Sequence, residues 1–132
     1  MIANSSHATD SASQRVLLVE DHLDSARSID RLLRLFGYEV CVANDGLTAV
    51  ECAAAFAPTA ALIDITLPRL DGFEVAERLR KSPATRDTLL VAMTGWVGDE
   101  HYHRARAAGF DKHLIKPISV ESLIDALSSA HV

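Results

Sequence analysis

Five short apolar runs, each followed by a stretch of helical period, predict an α/β fold: (βα)5, a doubly wound parallel five-stranded sheet with helices on both faces. Three observations carry this expectation. The alternation is strict from Arg15 onwards, and strands joined by helical crossovers pair in parallel. The run at 89–93 (LLVAM) is apolar throughout and the cores of the first and third nearly so, as strands covered on both faces must be. The chain, 132 residues and 48% hydrophobic, suffices for one core and is too short for two.

The elements follow in order. VLLV at 16–19 is the first strand. The first helix carries Ala26, Ile29, Leu33 and Phe36 on one stripe and ends at Gly37, a natural C′ residue. YEVCVA at 38–43 alternates more than the other runs and suits a sheet edge. The second helix is entered through Asn44-Asp45, closes before Pro58, and shows Leu47, Val50 and Ala54. AALIDI at 60–65 is the third strand, and Phe73, Ala76 and Leu79 mark a third helix that stops before Pro83. After LLVAM, a fourth helix over 99–108 (DEHYHRARAA) has only a thin apolar side and should be the least firmly packed. FDKHLI at 110–115 is the last strand; Ser119 then caps a helix with Val120, Leu123, Ile124 and Leu127. Residues 1–14 (MIANSSHATDSASQ) show no hydrophobic period and read as a mobile tail to a domain at 15–132.

Composition narrows the function. Thirteen Lys/Arg against eighteen Asp/Glu leave a net charge of −5, which disfavours binding to phosphate backbones or anionic lipid. No apolar run approaches the ~18 residues of a membrane span. Residues 1–14 lack the basic start and apolar stretch of a signal peptide, and two cysteines are too few for a disulfide framework. The expectation is a cytoplasmic protein with no nucleic-acid partner, no membrane insertion and no output domain of its own.

Ligands of doubly wound sheets bind beyond the carboxyl ends of the strands. Four of the five ends carry reactive groups: Glu20-Asp21, Asp64, Thr94 and Lys116-Pro117. Singly, each has a plainer reading as a loop acid, a turn or cap former, a backbone-satisfying hydroxyl or a Lys-Pro turn. Together, at successive strand ends, they converge on one small volume. Three carboxylates there repel one another and would take up protons unless a cation relieved them. Oxygen-only ligands, few in number, suit a hard ion that keeps its waters, the profile of Mg²⁺. Asp64, at the centre, has an oxygen placed to attack phosphorus and give an acyl phosphate. The metal, the Thr94 hydroxyl and the Lys116 ammonium would then neutralise the equatorial oxygens.

Across residues 15–130 the chain resembles the receiver domains of two-component response regulators. Glu20-Asp21 matches the family's acidic pair, and Asp64 within ALIDITLPRLDG its phosphoacceptor segment. Thr94 in AMTG matches the hydroxyl position, and Lys116-Pro117 in LIKP the lysine. The resemblance implies a flavodoxin-like sheet of strand order 2-1-3-4-5 and phosphotransfer onto Asp64 from a histidine kinase or histidine phosphotransfer protein. It implies Mg²⁺ (or Mn²⁺) held by Glu20, Asp21, Asp64 and the backbone carbonyl of Thr66, and a cis bond before Pro117. The chemistry implied is self-catalysed phosphorylation and autodephosphorylation rather than enzymatic turnover, with the signal passing to a protein partner. The wording TGWVGDE…AGFDKHLIKP looks most like receivers of hybrid histidine kinases; a stand-alone regulator stays open beside it.

One position departs from the family. A Tyr or Phe three residues before the lysine usually acts with the Thr94 position as a switch, and here that residue is His113. Imidazole is smaller and polar, so its burial costs unless its nitrogens find partners. A muted switch and an outward His113 facing a partner are both open. His101 and His103, two apart, point about 200° from each other on a helix and do not make a metal pair. His22 starts the first helix, Trp96 is a loop anchor or a partner contact, and Cys41 and Cys52 read as small core fillers. Two other functions compete: a flavin binder on the same fold, disfavoured by carboxylates where a phosphate wants backbone donors, and an unphosphorylated scaffold, disfavoured by the complete site.

Overall fold

A computed structural model of the chain describes residues 14–67, 69–95 and 98–128. Strands and helices alternate: β1 (Arg15–Val19), α1 (Leu23–Leu35), β2 (Glu39–Ala43), α2 (Gly46–Phe56), β3 (Ala60–Asp64), α3 (Gly72–Lys81), β4 (Leu89–Thr94), α4 (Asp99–Ala108), β5 (Lys112–Ile115) and α5 (Val120–Ser128). The strands pair in parallel in the order β2-β1-β3-β4-β5, as expected, with β2 on an edge. The tail at 1–13 and Trp96 lie outside the described residues. Gln14, read from sequence as the end of that tail, is buried in the body. Its carbonyl accepts from the Glu39 N–H at 3.0 Å and its side-chain oxygen from the Thr59 hydroxyl at 3.0 Å.

The period-two alternation of each strand divides the core into two layers. Leu17, Val19, Ala61, Ile63, Leu90 and Ala92 face α2, α3 and the two buried alanines of α4, Ala105 and Ala108. Val16, Leu18, Leu62, Val91 and Met93 face the other way, onto Leu33 of α1 and Leu123 and Leu127 of α5. Strands apolar on both sides therefore have helices on both sides. The thin apolar side of α4 is supplemented by Arg104, whose guanidinium lies 4.0 Å from the Phe73 ring centroid.

Two expected stripes are placed differently. Phe36 is 47% exposed, because α1 has ended and Gly37, at φ 92°, turns the chain so that Tyr38 takes the core position. In α2 the buried face is Gly46, Ala49 and Ala53, while Leu47 and Ala54 are exposed. A helix apolar on nearly every side has no polar stripe to fix its phase. Its N-terminus sets the phase instead: the Asp45 side chain accepts from Thr48 N, and Gly46 seats against the Leu70 carbonyl so tightly that a Cβ would collide with it.

Two arginines organise the ends of the sheet. At the amino ends of β4 and β5, Arg80 donates to the carbonyls of Arg86, Thr88 and Gly109 at 2.7–3.0 Å and to Asp111 at 2.7 Å. On the outer edge, Arg34 of α1 pairs with Asp30 at 2.8 Å and donates to the Val40 carbonyl at 3.0 Å.

Candidate functional site

The chemistry gathers at the carboxyl ends of β1, β3, β4 and β5. β1 runs apolar and buried to Val19, so the next residue, Glu20, enters the pocket fully buried while Asp21 stays exposed. Glu20 is held by its backbone, donating from N to the Ala43 carbonyl at 3.0 Å and accepting at its own carbonyl from the Asn44 amide at 3.1 Å. Its carboxylate takes the His22 N–H at 3.1 Å. Asp64 closes β3 and is 3% exposed. Thr94 closes β4, buried, one register position beyond the Asp64–Met93 pair. Lys116 follows β5 before a cis peptide to Pro117, its backbone N–H donating to the Thr94 carbonyl at 2.7 Å.

These positions bring three carboxylates and one ammonium together. One oxygen each of Glu20, Asp21 and Asp64 lie within 4.8 Å of one another. The Lys116 ammonium bridges the two buried acids, 2.9 Å from Asp64 Oδ2 and 3.3 Å from Glu20 Oε1. On its other oxygen, Oδ1, Asp64 accepts from both the Thr66 N–H at 3.0 Å and the Thr66 hydroxyl at 3.1 Å. Burial pushes the Glu20 carboxyl above its ordinary range, and the neighbouring Asp64 adds to the rise. For Lys116, burial works downward, but its hydrogen bond and charge contact with Asp64, aided by Glu20, outweigh it and hold the ammonium above its usual range. The three acids are crowded, the two buried ones are dry, and Lys116 is the ammonium they share.

Sequence reasoning missed three supports of this pocket. The Thr66 side chain, and not only its backbone, addresses Asp64. Asn44, read as a helix cap, fastens Glu20; Asp45 alone caps α2. Arg69 sits in the left-handed region at φ 70° in the β3–α3 loop and pairs with Asp45 at 3.4 Å. Nothing in the letters signals an arginine in that conformation.

His113 is half-buried on β5, with its ring set edge-on to Tyr102 of α4, centroids 5.0 Å apart. It lines a cavity of about 270 Å³ together with Thr94, Ile65, His101 and Tyr102. The imidazole is thus neither buried nor outward. His103 is exposed, whereas His101, on the other side of the helix, helps wall this cavity. His22 starts α1 with its side chain exposed.

Fold and pocket together define a receiver-type α/β domain: a doubly wound sheet with an aspartate at its centre, flanked by an acidic pair, a hydroxyl and a lysine. The chain belongs to the response regulator receiver domain family, whose family model matches residues 16–128. It is 30% identical to protein PilG of Pseudomonas aeruginosa over 118 residues, 89% of this chain and 87% of that one. It is 37% identical to response regulator MprA of Mycobacterium leprae over 83% of this chain, but spans only 47% of that relative's length. Among solved structures it is similar to the receiver domain of a sensor histidine kinase of P. aeruginosa, described with a magnesium ion in its active-site cleft. That likeness has a TM-score of 0.83 and 30% identity over 89% of this chain and 97% of that one. The chemotaxis protein CheY4 of Vibrio cholerae gives a TM-score of 0.85 at 26% identity, covering 89% and 98%. Among the described residues, no helix is long and apolar enough to cross a membrane.

Proposed function

We propose that Asp64 accepts a phosphoryl group from a phosphohistidine of a histidine kinase or histidine phosphotransfer protein, in a Mg²⁺-dependent reaction, and that the phosphorylated domain signals through a protein partner. The observation that carries this reading is the Asp64 carboxylate at the sheet's switch point, 3% exposed and 2.9 Å from the Lys116 ammonium. An oxygen of Asp64 attacks phosphorus, the phosphorus–nitrogen bond of the donor breaks, and the departing imidazole takes a proton. Lys116 meets the charge on one phosphoryl oxygen and Thr94 supplies a hydroxyl to another.

The donor set fits a hard divalent cation: three carboxylates within 4.8 Å, with no nitrogen or sulfur ligand. Glu20, Asp21 and Asp64 would hold it, with the Thr66 carbonyl as a fourth ligand. When bound, it would offset the burial and the Asp64 charge that together raise Glu20, and neutralise charge developing on the transferred group. Transfer onto Asp64 and later hydrolysis are reactions of the domain on itself, so the protein is a phosphoacceptor rather than a turnover enzyme.

Acetyl phosphate with Mg²⁺ should add one phosphoryl group, seen in the intact mass and lost at alkaline pH; Asp64→Asn should abolish it. Labelling of that variant at the wild-type rate would remove Asp64 from the role. A flavin reading is tested in the same preparation by its visible absorption.

A further inference from the structure

The two carboxylate oxygens of Asp64 are engaged differently. Oδ2 takes the Lys116 ammonium at 2.9 Å, while Oδ1 takes both donors of Thr66, the N–H at 3.0 Å and the hydroxyl at 3.1 Å. Those two donors differ in freedom. The peptide plane that carries the Thr66 N–H is pinned at its other end, where the Ile65 carbonyl accepts from the Gly72 N–H at 2.9 Å. The hydroxyl turns about one side-chain bond between staggered positions. Thr66 is exposed, so water can replace Asp64 as its partner when it turns away.

With Glu20, Asp21 and Asp64 as the ligands of a divalent cation, the reading on which this rests, charge decides which Asp64 oxygen the cation would share. The Lys116 ammonium repels it from Oδ2, which leaves Oδ1. A carboxylate oxygen has two in-plane lone pairs, and the two Thr66 donors use both. A cation at Oδ1 must therefore displace a donor, and the hydroxyl is the one free to go. We propose that the Thr66 side chain is a positioning residue that competes with the cation: its hydroxyl holds Asp64 Oδ1 and swings off as Mg²⁺ is seated. It thereby sets the Mg²⁺ concentration at which the pocket fills. A hydroxyl that only steadied the carboxylate would have the opposite sign, because a looser Asp64 would bind the cation less well.

Calorimetric addition of Mg²⁺ to the full-length protein, with no phosphodonor present, tests this apart from phosphorylation. Thr66→Val keeps the backbone N–H, the carbonyl and the branched shape, and removes only the hydroxyl at an exposed position. Its Kd for Mg²⁺ should fall about three- to tenfold, the net worth of one hydrogen bond. Thr66→Ser, which restores the hydroxyl, should return close to the wild-type Kd. With acetyl phosphate, the Mg²⁺ concentration that gives half the maximal acceptance rate should drop in Thr66→Val in the same proportion. An unchanged or higher Kd in Thr66→Val, or a Thr66→Ser variant that behaves like it, would overturn the competition. If the wild type took up no Mg²⁺, or Asp21→Ala took it up as tightly, the ligand assignment itself would fall and the proposal with it.

Discussion

Glu20 shows how far a single side chain is bent to the needs of the pocket. A fully buried carboxylate beside Asp64 has its value raised, chiefly by desolvation, and Lys116 offsets only part of that. Because the folded-state value lies above that of the unfolded chain, ionisation of Glu20 opposes folding. Its contribution is fully favourable below the unfolded value of 4.5 and is lost as pH rises through the folded value. Glu20→Gln keeps the side chain neutral and about the same size, and leaves Lys116 its shorter bond to Asp64. It should therefore raise Tm at pH 8 by a few degrees, on the order of 1 kcal/mol, with the gain shrinking as pH falls through the folded value and gone below about 4.5. Thermal melts of both proteins across that range check the sign; a gain that grew toward acid would contradict it. The places of Glu20, Asp21, Asp64, Thr94 and Lys116 at neighbouring strand ends were legible because the strand pattern fixes where each run stops. The Thr66 hydroxyl on Asp64 was not, since a hydroxyl two residues past an aspartate reads equally as part of an ordinary turn.

At the scale of elements, helix starts position the site. α3 begins with a full capping box, Asp71 accepting from the Glu74 N–H and Glu74 accepting from the Asp71 N–H. Gly72, its first residue, lies against β3 so closely that a Cβ would stand 2.6 Å from the Asp64 carbonyl oxygen and 2.7 Å from Ile65 Cα. Gly72→Ala must push α3 or the Asp64 backbone aside, at about 1–3 kcal/mol. Asp71→Ala should lose about 1 kcal/mol through the cap alone. The two separate in phosphorylation: the glycine variant should accept phosphate slowly even well below its melting temperature, the cap variant close to the wild-type rate. Equal rates would mean that the close contact does not position Asp64. Element order and type were readable because long periodic segments and buried strands leave strong signals. The face of α2 was not, because Leu47, Val50 and Ala54 compete with Ala49 and Ala53 for the core, and the Asp45 cap and the seat of Gly46 on Leu70 decide.

For the whole molecule, the parallel sheet separates stability from chemistry. Arg80 ties the amino ends of β4 and β5 together, and the carboxyl ends hold the acids. Metal binding should therefore act on global stability through one end only. Mg²⁺ at about ten times its Kd adds about 1.4 kcal/mol, a rise of several degrees in Tm. Asp21→Ala, which removes an exposed side chain, should melt like the wild type without metal and lose most of that rise with it. An undiminished rise would place the cation elsewhere. The outer edge of β2 carries a different obligation. The odd-numbered residues of β2 bond to β1, through Glu39 N to Gln14 and the Ala43 carbonyl to Glu20. Val40 therefore turns its carbonyl outward, and Arg34 covers it. A bare edge invites the next folded copy to add itself as a sixth strand, the opening move of aggregation. The guanidinium that ends α1 thus also serves as a gatekeeper, holding the domain to the company its docking surfaces choose rather than the company its backbone would accept.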